Sequence, residues 1–339
     1  MGGYHRGEIA VQERAGLAGQ AGHSQGAIGN TIPEVAVVFL AQQPHVVVGG
    51  TDERGRIWAT QLTGEPGFLT VPGPHTLHIG TLPPPEDPLA AVLTGAGAAT
   101  GSGSGREAAR IGMIGIEPAT RRRMRMNGRA VRDGDGLRVE LDQVLSNCPK
   151  YIQKRDHHPV ADAATPAARS AVDSTELSPA QQRILWEADT FFVATASPDG
   201  DADASHRGGN PGFVQVLSPR LLRWPDYMGN AMFLTLGNLE LNPAAGLFFP
   251  GWETGTSLHL TGSARTVWDE EQVARHPGPS GWWSSRSPPY GKWRRPPRCA
   301  GPRPPTPAST RRRPPDPTGP PRPSSPPVVP FRRFRPFSP

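Results

Sequence analysis

The sequence predicts a mainly β protein with short helices, built as two successive small antiparallel barrels followed by a disordered tail. Three observations carry that expectation. A block of residues recurs at fixed spacing, the recurring blocks alternate with period two, and the composition changes abruptly near residue 275.

The recurrence comes first. Residues 46–71 and 191–216 share a pattern at a constant offset of 145, where Gly55, Gly64, Pro66, Gly67 and Phe68 fall on Gly200, Gly209, Pro211, Gly212 and Phe213. Downstream, Gly112, Thr120, Gly128 and Ala130 fall on Gly246, Thr254, Gly262 and Ala264 at an offset of 134. The first copy therefore carries 11 extra residues, which fit a loop insertion in the Pro/Gly/Ser stretch 83–105. The implied division is a first copy over 1–158, a linker over 159–177, a second copy over 178–275 and a tail over 276–339.

Each copy opens with a capping-box pattern. Thr31-Ile32-Pro33-Glu34 and Ser178-Pro179-Ala180-Gln181 place a hydroxyl three residues before Glu or Gln, with proline in the first turn. A short helix should follow each, then an apolar strand rich in Val, Phe and Thr. Asp52–Gly55 and Pro198–Gly200 are turn chemistry between strands. The Gly-x-Pro-Gly-Phe motif then bends the chain into a further strand. Residues 121–126 set Arg121, Arg123 and Arg125 on one side of a strand. Leu258 and Leu260 alternate with Ser257, His259 and Thr261 in the counterpart. Asn230–Leu241 reads as an amphipathic helix.

The first copy continues into Leu137–Leu141, a clear strand. At the matching offset the second copy shows Glu271–Pro277 and then prolines, so its closing strand is expected to be missing. Residues 276–339 hold 21 of the 41 prolines, 12 arginines, one lysine and a single acid, Asp316. They carry +12, whereas residues 1–275 carry −6, and the two sum to the overall +6. Such a tail cannot bury enough apolar surface to offset its ordering entropy. A genuine basic tail and a shifted reading frame in a GC-rich gene both account for its composition.

Other classes fall away. Two cysteines, Cys148 and Cys299, give no disulfide framework and no Cys-rich metal site. Without an apolar run of membrane-spanning length or a secretory-type leader, a cytoplasmic protein with no membrane partner is expected. The body is acidic and the tail lacks interleaved aromatics, which argues against nucleic acid as a partner.

Two sets of residues carry a resemblance. One is Phe192–Gly200, Ala204-Ser205-His206-Arg207-Gly208-Gly209, Pro211–Val214, Pro225-Asp226-Tyr227, Gly229-Asn230, and Gly237-Asn238-Leu239 through Pro243. The other is Gly7–Gln12, Trp58-Ala59-Thr60 and Asn147–Gln153. The first set resembles the pyridoxamine 5′-phosphate oxidase-like family of FMN-binding split barrels. The second resembles a recurrent N-terminal partner of that domain. The resemblance implies six-stranded antiparallel split β-barrels in tandem and a homodimer with FMN at the subunit interface. It also implies an oxidoreductase of unknown substrate that takes electrons from a nicotinamide or other donor. A non-catalytic flavin-binding module, or a decayed copy without activity, is the alternative.

A flavin phosphate requires cationic forks, hydroxyls and free backbone donors. Ser205, Arg207 and Gly208 supply these types, and the family carries phosphate contacts near this segment. Asn230 either seats the phosphate or only caps its helix, with Thr235 and Asn238 on the same element. In the first copy Thr60 stands opposite Ser205 and Leu62 opposite Arg207, so flavin is expected at the second copy. The Arg121–Arg125 run reads as a solvated strand face ahead of a phosphate cradle. His206 reads as an exposed loop residue, Cys148 as inert packing, and His157-His158 as too divergent to share a metal.

Overall fold

The computed structural model describes residues 3–95, 108–146, 149–157, 171–227 and 229–268, together with the backbone of residues 328–332. Strands β1 (His45–Thr51), β2 (Ile57–Thr63), β3 (Leu69–Gly73), β4 (Thr76–Ile79), β5 (Ala109–Glu117), β6 (Arg122–Asp133) and β7 (Gly136–Ser146) form one antiparallel sheet. Its order is β2-β1-β5-β6-β7-β4-β3. The second sheet contains β8 (Thr190–Ala196), β9 (Ala202–Gly208), β10 (Gln215–Ser218), β11 (Leu221–Pro225), β12 (Ala244–Phe249), β13 (Leu258–Ala264) and β14 (Val328–Arg332). Its order, read from the opposite end, is β9-β8-β12-β13-β14-β11-β10. The protein is thus mainly β, with antiparallel sheets that stay open at both edges. The six-stranded closed outline expected from the sequence gives way to seven-stranded open ones.

The strand registers agree between the sheets. Val47 pairs with Ile114 as Phe192 pairs with Phe248, and Val48 pairs with Thr60 as Val193 pairs with Ser205. The turns predicted at Gly55 and Gly200 both have positive φ, 73° and 89°. Asp52 organises the first of them by accepting from the Arg54 and Arg56 amides and from the Trp58 indole.

The second sheet's closing position is filled. Residues 271–277, where the missing strand was sought, lie outside the described residues, as does most of the tail. Yet β14, from within residues 276–339, takes the place that β7 holds in the first sheet. Phe331 pairs with both Leu222 and Ala264, as Val139 pairs with both Leu77 and Ala130. The tail therefore supplies a strand that composition alone does not reveal.

Helix α1 (Arg6–Arg14) and helix α2 (Ala18–Gln25), which the patterning does not announce, precede α3 (Glu34–Ala41). The Thr31 capping box does not form. Pro33 is the N-cap of α3 and no side chain caps it. Helix α4 (Ala90–Thr94) lies in the stretch read as a loop insertion. The Ser178 box does form at α5 (Pro179–Glu187), with Ser178 and Gln181 bonding each other's backbone. Helix α6 spans Leu234–Leu241, four residues shorter than expected. Ala231 and Phe233 adopt left-handed φ of 60° and 56°, which delays its start.

Each sheet has its own apolar core, one around Phe39, Trp58, Leu77 and Met126, the other around Phe191, Trp224 and Phe249. In the second, Phe191 stacks on Phe249 at 5.0 Å and meets Trp224 edge-on at 5.4 Å. A third cluster joins the sheets, with Val47, Ile57 and Ile114 from one and Phe192, Ala194 and Phe248 from the other. Burying each such large side chain contributes roughly 1.5–3 kcal/mol. The strands approach here through glycine. A Cβ on Gly49 would lie 2.6 Å from Ala194 Cβ, one on Gly112 would lie 2.5 Å from the Asp203 carbonyl carbon, and one on Gly246 would lie 2.5 Å from Trp58 Cα.

Candidate functional site

A cleft open to solvent, with a cavity volume of about 100 Å³, lies where β6 of the first sheet faces β9 and the start of α6 in the second. Its cations come from both halves: Arg123, Arg125 and Lys150 from the first, and Arg207 from the second. Tyr151, Phe213 and Tyr227 add aromatic surface, and the Tyr151 and Tyr227 rings sit 4.9 Å apart.

Period two on β9 aims Asp203, Ser205 and Arg207 the same way. Asp203 pairs with Arg125 across the sheet boundary, and both are buried. Its second oxygen accepts from the Thr235 hydroxyl at 3.2 Å. Arg207 donates to Ser205 and, through Nε, pairs with Asp226 at 3.0 Å. The geometry leaves a positive excess. Arg123, Arg125, Lys150 and Arg207 stand against Asp203 and Asp226, and burial pushes the Asp226 carboxyl toward its neutral form. Burial also draws Arg125 down to about 9, with Arg207 and Arg123 adding to the effect. An anion entering the cleft would relieve that repulsion.

Helix α6 begins in the cleft. Asn230 is not its N-cap, which is Phe233. Instead, the Asn230 side-chain carbonyl accepts from the Met232 amide at 3.1 Å and shapes the approach to the helix. The first intrahelical donor into this turn is the Gly237 amide, bonded to the Phe233 carbonyl at 2.7 Å. Leu234, Thr235 and Leu236 line the cleft ahead of it, where first-turn amides have no carbonyl of their own helix.

Five of the six residues picked from the sequence meet here: Ser205, Arg207, Gly208, Asn230 and Thr235. Asn238 lies deeper. It donates to Thr195 Oγ1 and accepts from His5 Nε2, both at 3.0 Å. Gly208 has a packing reason, since a Cβ there would overlap the Tyr151 carbonyl oxygen. That close approach brings residues 149–152 of the first half over the cleft.

Two expectations are corrected. Arg123 and Arg125 do not lie on a solvated strand face, because the second sheet covers that side of β6. Arg121 and Arg122 are exposed, and Arg122 pairs with Glu117. His206 is not in an exposed loop but buried on β9, edge-on to Phe192. Its Nδ1 accepts from Arg123 Nη1 at 3.3 Å, and burial with nearby Arg123 and Arg207 keeps it neutral. Cys148, Cys299 and His158 lie outside the described residues. Among the described residues no cluster of three His, Cys, Asp or Glu has metal-binding geometry.

The sequence reading missed the N-terminal helix. α1 crosses α6 with Gly7 against the Gly237 carbonyl, and Gln12 donates to the Met232 carbonyl at 3.1 Å. Ser24 donates to the Asn230 carbonyl at 2.7 Å. The first half thereby braces the strained entry to α6. The His5–Glu8 capping box was the available signal.

Residues 177–294 match the family model described as pyridoxamine 5′-phosphate oxidase. No curated protein sequence matches the chain. Among solved structures, HupZ of Group A Streptococcus is 12% identical, with coverage of 48% of this chain and 94% of that one and a TM-score of 0.30. A Clostridium acetobutylicum protein related to general stress protein 26 of B. subtilis, of the pyridoxinephosphate oxidase family, is 11% identical. The match covers 46% of this chain and 87% of that one, at a TM-score of 0.25. No helix among the described residues is long and apolar enough to cross a membrane. The second half of the chain is thus similar to the pyridoxamine 5′-phosphate oxidase family, the likeness covering residues 177–294.

Proposed function

We propose that the cleft binds flavin mononucleotide and that the protein is a flavin-dependent oxidoreductase. One observation carries the reading: cations from both halves converge with the N-terminus of α6 on one solvent-open cleft. The residues present suit a phosphomonoester. Arg125 Nε is a buried donor without a hydrogen-bond partner among the described residues. Ser205 offers a hydroxyl beside Arg207, and the first-turn amides of α6 add dipolar donors. Tyr151, Tyr227 and Phe213 supply flat surface for an aromatic ring system. A bound flavin would supply hydride or electron transfer, and the chain would supply binding, orientation and tuning.

Within that site Arg207 holds charge at a fixed place because Asp226 and Ser205 lock its fork. Arg125 is held likewise by Asp203, which Thr235 orients. Neutral His206 keeps Arg123 in place by accepting from it. The family match on residues 177–294 supports the flavin reading; the substrate is set by chemistry at the cleft mouth and not by the fold.

Titration of the purified chain with FMN tests it. Binding should quench flavin fluorescence and give a yellow complex. Arg207→Ala should weaken binding about 10–100-fold, the cost of one charge-assisted pair. Bleaching by a nicotinamide donor would mark an oxidoreductase; resistance to it would mark a carrier. A protein that stays colourless at millimolar FMN refutes the proposal.

A further inference from the structure

We infer that the chain is its own pseudo-dimer, with one live cleft and a second, two-fold-related cleft that is built shut. This rests on the ligand reading above. The sheets contact each other reciprocally. β5 and β6 pack on β9, and β12 and β13 pack on β2. Under the sequence offsets of 145 and 134, β9 corresponds to β2, β12 to β5 and β13 to β6. The close glycine contacts obey the same exchange. Gly112 meets Asp203 while its equivalent Gly246 meets Trp58, the equivalent of Asp203. Gly49 meets Ala194, its own equivalent, which places that contact on the local two-fold axis. Such self-complementary reciprocity is the mark of an isologous two-fold interface.

A symmetric pair would carry two clefts, and the residues here differ in kind. Where the live cleft has Arg207, the related place has Leu62, which is buried in the first core. Arg125 is replaced by His259 and Arg123 by Ser257. His259 donates from Nδ1 to the Ala59 carbonyl at 3.0 Å, and burial keeps the ring uncharged, with its pKa drawn down to about 4. Thr261 donates to the Ile57 carbonyl at 2.7 Å, and Thr60 donates to Asp87. Trp58 fills the position of Asp203, its indole bound to Asp52 at 2.9 Å. The related place therefore holds no cation at these positions, and its donors are spent on the chain itself. Charge moved to one side, so one ligand should bind per chain, between the halves.

Equilibrium dialysis of the full chain with FMN reads the stoichiometry. One FMN per chain is expected. Arg125→Gln should weaken it at least 10-fold, Arg125→Lys should restore part of the loss, and His259→Gln should change it less than 2-fold. Two FMN per chain, or equal losses from Arg125→Gln and His259→Gln, overturns the inference while leaving the flavin reading intact. If FMN does not bind, the flavin reading falls and inorganic phosphate, followed by phosphorus NMR, decides the inference. One phosphate per chain that Arg125→Gln removes sustains it; no phosphate bound, or two, overturns it.

Discussion

Replacing Asp203 should destabilise the protein by far more than a surface change. Its carboxylate pairs with Arg125 where the two sheets meet, with side-chain exposures of 4% and 9%. Asp203→Asn keeps the size and the acceptor for Thr235 but strips Arg125 of its counter-charge. The guanidinium then faces Arg207 and Arg123 in a desolvated place. Removing one partner of a buried pair costs about 3–5 kcal/mol, because the surviving charge is uncompensated. Adding Arg125→Leu removes that charge and replaces it with apolar volume, so the double variant should recover at least half of the loss. Urea unfolding with linear extrapolation measures all three. A loss below about 0.5 kcal/mol for Asp203→Asn, or a double variant equal to the sum of the singles, would refute the reasoning.

Three further outcomes follow from the same geometry. Gly112→Ala drives a Cβ into the Asp203 backbone, which cannot swing aside, and should cost about 2–3 kcal/mol; Gly19→Ala on exposed α2, with open space around it, should gain up to about 1 kcal/mol in thermal unfolding. Glu8 is buried beneath α6, and burial raises its pKa from 4.5 to about 7. The folded state then binds the proton more tightly than the unfolded one, so stability falls as pH rises from about 4.5 to about 7 and is flat above. Glu8→Gln should abolish that slope, worth on the order of 3 kcal/mol, in unfolding measured at a series of pH values. Deleting residues 328–339 removes β14 and unpairs β11 and β13, so exchange should accelerate at those β11 and β13 amides that face β14, while the Ala264 amide, bonded to the Pro243 carbonyl, keeps its protection; unchanged protection along both strands would deny β14 its place.

How much of this was legible depends on the range of the interaction. The turns at Gly55 and Gly200, the Ser178 capping box and the strand pairs β1–β2 and β8–β9 are local, so short stretches of sequence encode them. Ser205 and Arg207 were picked by residue type and by resemblance; that they share one side of a strand, β9, is visible only in the fold. The start of α6 was misjudged because Asn230 has cap chemistry. Its side chain is instead used within the left-handed turn that braces from α1 and α2 hold in place.

The sequence by itself determined the mainly β class, the recurrence of one pattern at two offsets, and the difference between Arg207 and Leu62 at matched positions. Those are properties of composition and spacing. Only the tertiary structure decided where Arg123, Arg125 and His206 go, because a strand face is solvated or buried according to what packs on it. It also decided that Val328–Arg332 sits between β11 and β13, since strand pairing joins segments whose separation along the chain carries no signal. The cleft belongs to this second class. Neither half contains it, and it exists where glycine lets two sheets approach and their charges meet.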